Sequence, residues 1–257
     1  AIRDSSTSRG LGDVYKRQYN GGGIALGDVN NDGLEDIYFT GNMVDNKLYL
    51  NKGNMVFEDI TDSSGTKGDL RWYTGSTMVD INNDGFDDLI AGFGNGNSGS
   101  LIFINSNGKF DENNYINIPE SIYGEKNQQH MKTLSSDFNN DGDIDLAIQW
   151  SRIEPYYGGQ YIQILKNDGN GNYTDTTNTT DTKSLEDAYT ARLQWSEPWQ
   201  QIDLNNDGHM DIAGVNAIWI GASNKKPLFY LNDGKGNFEI HDVAADVVNG
   251  MPVAFFD

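Results

Sequence analysis

Four acidic nonapeptides hold the residues of this sequence whose types and spacing could do chemistry. They read DVNNDGLED from residue 28, DINNDGFDD from 80, DFNNDGDID from 137 and DLNNDGHMD from 203. Positions 1, 3, 5 and 9 of each carry a side-chain oxygen, and position 7 can offer its backbone carbonyl. The glycine at position 6 allows a sharp turn that would gather these oxygens around one ion. Such hard oxygen donors suit Ca²⁺, which takes six to eight ligands at roughly 2.3–2.6 Å.

The predicted ligands occupy the same five positions in every nonapeptide, which makes about four calcium sites. They are Asp28, Asn30, Asp32, Leu34 and Asp36; Asp80, Asn82, Asp84, Phe86 and Asp88; Asp137, Asn139, Asp141, Asp143 and Asp145; and Asp203, Asn205, Asp207, His209 and Asp211. We interpret His209 as a carbonyl donor, so no nitrogen or sulfur ligand enters the set, which disfavours zinc and copper. Mg²⁺ is the alternative ion, but it prefers a stricter octahedron with retained waters.

Two other interpretations of the nonapeptide are an EF-hand and a metal-free turn. An EF-hand needs a bidentate Glu at position 12, where this sequence has Phe39, Ala91, Ile148 and Gly214. A metal-free turn rich in Asn, Asp and Gly is common as a single copy. Four copies that keep Asp or Asn at positions 1, 3, 5 and 9 favour a metal, because their carboxylates would repel one another without a cation.

Charge and composition narrow the classes of function. The chain has 38 Asp+Glu against 18 Lys+Arg, a formal charge of -20, and 15 of the 38 acids lie in the nonapeptides. Nucleic acid is therefore not an expected partner, because phosphate binding needs a basic surface. The sequence has no cysteine, so disulfides and thiolate metal sites are excluded. No run of 18 apolar residues occurs, so no membrane insertion of this segment is expected.

The elements that must position these loops recur along the chain. The first Asp of each nonapeptide follows the previous one after 52, 57 and 66 residues. A β-hairpin signature comes after each loop, as in LYLNKGNMVFED at 48–59 and FYLNDGKGNFEI at 229–240. In the first repeat we predict strands at about 23–28, 36–40, 46–50 and 56–61. Four short strands per repeat predict an all-β fold, a β-propeller of four-stranded antiparallel blades.

The chain divides into a leader and a propeller. Residues 1–18 match no repeat and look like a non-native or disordered leader, without the apolar core of a signal peptide. Residues 19–257 hold repeats that start near 19, 72, 129 and 195, and a truncated fifth that starts near 250. Because Asp257 matches the first Asp of a fifth nonapeptide, we expect a fragment with about four complete blades. The stretches 111–131 and 173–197 are predicted to be irregular.

The repeats resemble the FG-GAP / VCBS repeat family over essentially 19–257. The best examples are GGGIALGDVNNDGLEDIYFTG at 21–41 and LYLNKGNMVFEDIT at 48–61. The resemblance implies an integrin-α-like propeller, commonly seven-bladed and therefore truncated here, in a secreted bacterial or cell-surface protein. It also implies structural calcium, a role in adhesion or ligand recognition, and further domains of the same chain.

The loops opposite the calcium loops are candidates for a ligand surface, because partners of the resembling propellers usually bind there. All five Trp residues fall in or beside these segments with Arg and Tyr residues: Trp72, Trp150, Arg152, Tyr156, Tyr157, Arg192, Trp195, Trp199 and Trp219. Aromatic rings flanked by polar groups suit sugar rings or protein hot spots. The alternative is that these aromatic residues pack between blades.

We therefore expect a module that binds an extracellular protein or glycan. No Ser/His/Asp or Cys/His set stands in a recognisable context, so an enzyme is not expected. The alternatives are a domain of an enzyme that acts on extracellular polysaccharide, and a pure scaffold. His130 and His241 have no evident partners in the sequence and are interpreted as structural or surface residues.

Overall fold

The computed structural model describes residues 22–70, 72–93, 100–117, 128–152, 160–177, 193–196, 199–218 and 227–242. Within these ranges, seventeen β-strands and one short helix, α1 (Thr61–Ser64), form the regular structure. The strands group into four antiparallel sheets. No helix in this part of the chain is long and apolar enough to cross a membrane.

Each sheet is one blade whose strands lie side by side in chain order. Blade 1 contains β1 (Ile24–Gly27), β2 (Asp36–Phe39), β3 (Lys47–Asn51) and β4 (Phe57–Asp59); blade 2 contains β5 (Tyr73–Val79), β6 (Asp88–Phe93), β7 (Ser100–Asn105) and β8 (Phe110–Asn117); blade 3 contains β9 (Gln128–Ser136), β10 (Asp145–Arg152), β11 (Gln160–Asn167) and β12 (Tyr173–Asp175); blade 4 contains β13 (Leu193–Ser196), β14 (Gln200–Ile202), β15 (Asp211–Ile218), β16 (Pro227–Asn232) and β17 (Phe238–Asp242). In blade 4, β13 and β14 share the place of the first strand, since both pair with β15. The predicted all-β fold of four-stranded antiparallel blades is confirmed.

The strand predictions for blade 1 were right, whereas two stretches that were predicted to be irregular contain strands. The four strands of blade 1 lie within two residues of the predicted ranges. The stretch 111–131 is not irregular throughout, because β8 extends to Asn117 and β9 begins at Gln128. The stretch 173–197 likewise contains β12 and β13. An edge strand pairs through its backbone on one side only, so polar side chains such as those of DENNYIN do not prevent it. The predicted leader 1–18 and the fifth repeat near 250 lie outside the described residues.

The hydrophobic cores lie between successive blades. Successive side chains of a strand point to opposite faces of its sheet, so an inner blade packs on the preceding blade with one face and on the following blade with the other. Between blades 1 and 2, Tyr38 and Leu48 pack with Leu89 and Phe103. Between blades 2 and 3, Ile90 and Ile102 pack with Leu146 and Leu165. Between blades 3 and 4, Ala147 and Ile164 pack with Ile212 and Tyr230.

His130 is a fully buried residue between blades 2 and 3. Its Nδ1 hydrogen-bonds the hydroxyl of Ser100, and its Nε2 lies 2.8 Å from the hydroxyl of Thr133. The ring packs against Trp150 with 5.4 Å between ring centroids, and it covers Gly92, where a Cβ would overlap it. Burial lowers the pKa of His130 to about 3, although a backbone hydrogen bond of Lys132 opposes this shift. The structural interpretation of His130 therefore agrees with the fold, while His241 is exposed on β17.

The buried neutral histidine predicts a loss of stability in mild acid. Because the unfolded His130 titrates near 6.5 and the folded one near 3, only the unfolded state gains the proton between these values, and stability falls as the pH drops below 6.5. The free energy of unfolding should fall by about 1.4 kcal/mol between pH 7.5 and 5.5 from this group alone. Urea unfolding of the wild type and of His130→Gln at several pH values in this range measures the effect. The free energy of unfolding should fall more steeply with decreasing pH in the wild type than in the variant. Carboxylates that titrate in both proteins cancel in that difference, and parallel curves would contradict the prediction.

Candidate metal-binding loops

The four nonapeptides form four loops that are built alike. Each joins the first strand of a blade to the second, as in β1–β2, β5–β6, β9–β10 and β14–β15. The Asn at position 4 has φ between 56° and 58° in all four loops, and the Gly at position 6 has φ between 84° and 93°. Asn and Gly are the residues that adopt this left-handed backbone most readily, so the sequence NDG encodes the turn directly.

Side chains of the loop cap its own backbone. In the first loop, the carboxylate of Asp28 accepts the N–H of Asp32 at 3.1 Å and the N–H of Gly33 at 2.7 Å. The amide oxygen of Asn30 accepts the N–H of Asp32 at 3.2 Å, and the carboxylate of Asp32 accepts the N–H of Leu34 at 3.0 Å. The same four bonds recur in the other three loops. The residues predicted as ligands at positions 1, 3 and 5 are therefore brought together in each loop.

The aspartate at position 9 connects each loop to the third strand of its blade. Asp36 accepts the N–H of Val29 at 3.0 Å and the N–H of Asn51, the last residue of β3, at 2.7 Å. The corresponding residues Asp88, Asp145 and Asp211 make the same two bonds in their blades. All four carboxylates are buried. A buried carboxylate is stable only when hydrogen bonds replace its water, and these two backbone donors supply them.

Burial raises the pKa of every position-9 aspartate, to about 7 for Asp88 and about 6 for Asp145. The two backbone hydrogen bonds act against this rise, whereas the carboxylates at positions 1 and 5 of the same loop add to it. Each loop is thus a place where negative charges are held close together and partly away from water. A cation among these oxygens would favour the charged carboxylates.

The chemistry of the donor set fits a hard cation, although the carboxylates are engaged with the backbone. Each loop offers carboxylates, one amide oxygen and the position-7 carbonyl, which are ligands that Ca²⁺ accepts. In the described residues, no three His, Cys, Asp or Glu side chains are arranged as a metal cluster. The third loop also contains a competitor, since the ammonium of Lys166 lies 3.0 Å from the carboxylate of Asp141. The ring of His209 contacts blade 3, where its Nδ1 lies 3.0 Å from the amide nitrogen of Asn140.

Asparagines outside the predicted ligand set join neighbouring loops, and they were not among the predicted functional residues. The position-4 amides reach the next blade: Asn31 donates to the carbonyl of Gly85 at 2.6 Å, Asn83 to Asp143 at 2.7 Å and Asn140 to the carbonyl of Gly234 at 2.9 Å. The signal was present, because the second Asn of NNDG is repeated in all four nonapeptides without being a ligand position. These bonds place the four loops side by side at one end of the propeller, which we call the acidic rim.

Three of the tryptophans proposed for a ligand surface are buried instead. Trp72, Trp150 and Trp199 are each less than 5% exposed. Trp150 donates to the side chain of Gln163 at 2.8 Å, and Trp199 packs against Tyr230 with 5.1 Å between ring centroids. The prediction of an exposed aromatic platform is therefore wrong for these three residues, and the alternative of packing between blades holds for Trp150 and Trp199. Arg152 ends β10 and Trp195 lies in β13, whereas Tyr156, Tyr157, Arg192 and Trp219 lie outside the described residues.

A polar groove of about 320 Å³ lies where the first strands of blades 2, 3 and 4 come together. Its lining includes Thr77, Lys132, Ser135, Gln200 and Gln201. Burial lowers the pKa of Lys132. The groove thus combines an ammonium with hydroxyl and amide groups, in contrast to the carboxylates of the acidic rim.

Repeated four-stranded blades, each with one acidic loop between its first two strands, define a β-propeller repeat protein. A family model described as FG-GAP-like repeat matches residues 28–91 and 137–214. These ranges make up more than half of the chain, and the chain belongs to the FG-GAP repeat family.

The chain is also similar to part of a curated relative, cartilage acidic protein 1 of Xenopus tropicalis. The two are 28% identical over 154 residues, which cover 55% of this chain and 23% of the relative. The chain therefore spans less than a quarter of the length of the relative that it matches.

The bridging asparagines predict a measurable contribution to stability. Asn140→Gly keeps the left-handed backbone but removes the bond to blade 4, so the free energy of unfolding should fall by about 1 kcal/mol. Asn107→Gly is the matched control, because Asn107 is exposed, has a φ of 56° and lies in the β7–β8 turn, where its side chain makes no hydrogen bond to another blade within the described residues. Chemical unfolding of both variants makes the comparison. Equal losses in the two proteins would show that the bridging bond contributes nothing.

Proposed function

We propose that this chain is a calcium-stabilised β-propeller module of an extracellular or cell-surface protein that recognises a protein or glycan ligand. The observation that carries the calcium part is the common framework of the four loops, in which positions 1, 3, 5 and 9 are held in the same hydrogen-bonded arrangement. Membership in the FG-GAP family supports the extracellular and ligand-binding part, since such repeats occur in adhesion and recognition proteins. We propose a binding module and not an enzyme.

The residues that would hold Ca²⁺ are the five predicted in each loop. In the first loop these are the side chains of Asp28, Asn30, Asp32 and Asp36 with the carbonyl of Leu34. The ion would supply positive charge to carboxylates that now repel one another. A structural role suits four equivalent loops, whereas a catalytic metal needs one open position beside an acid or base.

Removal of divalent ions is expected to lower the melting temperature, and added Ca²⁺ should restore it. Ca²⁺ should bind the folded state alone. A Ca²⁺ concentration of ten times the dissociation constant should therefore raise the free energy of unfolding by about 1.4 kcal/mol per occupied site. The dissociation constants should lie at about 10⁻⁴–10⁻³ M, as for extracellular modules. Differential scanning calorimetry in EDTA and at increasing Ca²⁺ concentrations measures the melting temperature and gives the dissociation constants. The same series with Mg²⁺ tests the alternative ion.

Matched variants separate a loop effect from a general charge effect. Asp203→Asn removes a predicted ligand of the fourth loop and should weaken the Ca²⁺ response, whereas Glu239→Gln removes an exposed carboxylate on β17 and should leave it unchanged. Lys166→Met should strengthen the response, because the ammonium that pairs with Asp141 is gone. A melting temperature that ignores both EDTA and Ca²⁺ would exclude calcium from the proposed function.

The ligand surface is proposed at the end of the propeller opposite the acidic rim. There, Met43 and Val44 in the β2–β3 connection are 46% and 59% exposed. Leu70, in the connection from blade 1 to blade 2, is also exposed. We call residues 41–46 and 60–70 the far rim. Apolar side chains that stay exposed on a folded protein often mark a binding surface.

Substitution of the far rim should reduce ligand binding without changing stability. Met43→Ser combined with Val44→Ser is the test variant, and Met55→Ser is its control. Met43 and Met55 both have a positive φ and are exposed, but Met55 lies in the β3–β4 turn at the acidic rim. Binding to a glycan array and to extracellular matrix proteins should fall at least tenfold in the far-rim variant. Unchanged binding, or an equal loss with Met55→Ser, would refute this placement.

A further inference from the structure

The polar groove between blades 2, 3 and 4 contains an ammonium group with neutral neighbours. Lys132 of β9 lines the groove and is half-buried. Its cross-strand partner is Gln149, and the next residue on its own face is Leu134. Burial lowers the pKa of Lys132, and no carboxylate among the described residues opposes this shift. An ammonium that is partly removed from water is stabilised by an anion that accepts its hydrogen bonds.

The other described lysines are in ordinary surroundings. Four of them have a carboxylate within 3.2 Å: Lys47, Lys52, Lys67 and Lys166. The remaining two, Lys109 and Lys235, are exposed to water. Lys132 is therefore the one lysine of the described ranges that is half-buried without an ion pair to a described carboxylate. In a chain with a formal charge of -20, this group marks a local site for negative charge.

Hydroxyl and amide groups line the groove beside this ammonium. Thr77 comes from blade 2, Ser135 from blade 3, and Gln200 and Gln201 from blade 4. The amide nitrogen of Gln201 donates to the carbonyl of Ser135 at 2.9 Å, which holds this side chain across the boundary between blades 3 and 4. Because β5, β9 and β14 are the first strands of their sheets, their outer edges add backbone N–H and C=O groups. The groove thus offers both donors and acceptors, which is what the hydroxyl groups of a ligand require.

Hydrogen bonds between blades hold the walls of the groove in place. The asparagine that ends the third strand donates to the position-2 carbonyl of the preceding blade: Asn105 to Val29 at 2.8 Å, Asn167 to Ile81 at 2.7 Å and Asn232 to Phe138 at 2.8 Å. The last two of these bonds join the three blades that form the groove. The groove is therefore preformed, and a ligand can bind with little rearrangement of the blades.

The volume and the charge of the groove limit the ligand. A volume of about 320 Å³ is at the small end of the range for ligand sites, so the groove suits one molecule of the size of a sugar. One ammonium balances one negative charge. A second negative charge would be repelled by the acidic loops, because Asp137 and Asp203 follow Ser135 and Gln201 by two residues. These limits favour a monocarboxylate over a sulfate or phosphate dianion.

We propose that the polar groove binds a small hydroxylated carboxylate, which is the chemistry of a uronic acid. The carboxylate accepts hydrogen bonds from the ammonium of Lys132, and the hydroxyl groups bond the side chains of Thr77, Ser135 and Gln201. A free sugar acid and the terminal residue of an acidic polysaccharide both present this chemistry. The site lies between the blades and rests neither on calcium nor on the proposed ligand surface at the far rim.

Calorimetric titration of the full-length protein with D-glucuronate tests the site, with D-glucose and sulfate as matched probes. D-glucuronate should bind at least tenfold more tightly than either, because glucose has no carboxylate and sulfate has no hydroxyl groups to bond. Lys132→Met should weaken the binding of D-glucuronate at least tenfold, whereas Lys109→Met, which removes an exposed lysine of the β7–β8 turn, should leave it unchanged. The melting temperature of Lys132→Met should not fall, because the variant removes an ammonium that has no described carboxylate as a partner.

Protection of lysines from acetylation shows where D-glucuronate binds. The full-length protein is treated with acetic anhydride with and without D-glucuronate, and the acetylated peptides are measured by mass spectrometry. D-glucuronate should slow the acetylation of Lys132, because the bound carboxylate holds the amine in its protonated form and covers it. The exposed Lys109 and Lys235 are internal controls and should react at the same rate in both samples. Equal protection by D-glucose would show that the carboxylate is not recognised.

A disaccharide with glucuronate at its non-reducing end distinguishes the two sources of the ligand. Binding at least as tight as that of D-glucuronate assigns the groove to the end of a polysaccharide, and binding of D-glucuronate alone assigns it to a free sugar acid. The proposal is overturned if D-glucuronate does not bind, if sulfate binds as tightly, or if Lys132→Met binds D-glucuronate like the wild type. A lower melting temperature of Lys132→Met with unchanged binding would assign Lys132 a structural role instead.

Discussion

The buried aspartate at the end of each acidic loop is the constraint on which the rest of the blade depends. A carboxylate without water must be hydrogen-bonded, and the same arrangement supplies two backbone donors in all four described blades. The loop must fold back to bring its position-2 N–H to the carboxylate, and the third strand must end where its last N–H can reach the other oxygen. Loop conformation and the end of the third strand are thereby fixed together. The asparagine whose N–H is captured in this way is the one whose side chain reaches the preceding blade, so the same constraint also sets the interface.

Much of this architecture could be predicted because the sequence repeats it. The NDG turns, the alternating apolar strands and the hairpins after each loop are local patterns, and four copies made each pattern more certain. The bridges between blades could not be predicted in the same way, since Asn105, Asn167 and Asn232 bond residues 76, 86 and 94 positions away in the chain. No local pattern distinguishes an asparagine that closes a turn from one that also bonds another blade.

The tryptophans show a different limit of sequence interpretation. Trp150 was considered for a ligand surface because it neighbours polar residues, yet it lies on the same side of β10 as Leu146 and Ile148, which the alternation of a strand already implies. Side-chain alternation along the strand was thus a better guide than the residues next to it. The same buried interface contains His130, whose two ring nitrogens both find hydroxyl partners, so polar groups are accepted between these blades when they are fully hydrogen-bonded.

The uniform asparagine bridge has a consequence for how such proteins change over evolutionary time. In each of the three described interfaces, the last asparagine of the third strand donates to the position-2 carbonyl of the preceding blade, beside apolar residues of the second and third strands. Blades that join through this shared bond can take one another's place as neighbours. Duplication or loss of one unit of 52 to 66 residues therefore creates no new surface that must be matched by further substitutions. Insertions within a unit are tolerated for the same reason, provided that they leave the acidic loop and the end of the third strand in place. The number of blades can then vary while the way in which blades join stays constant.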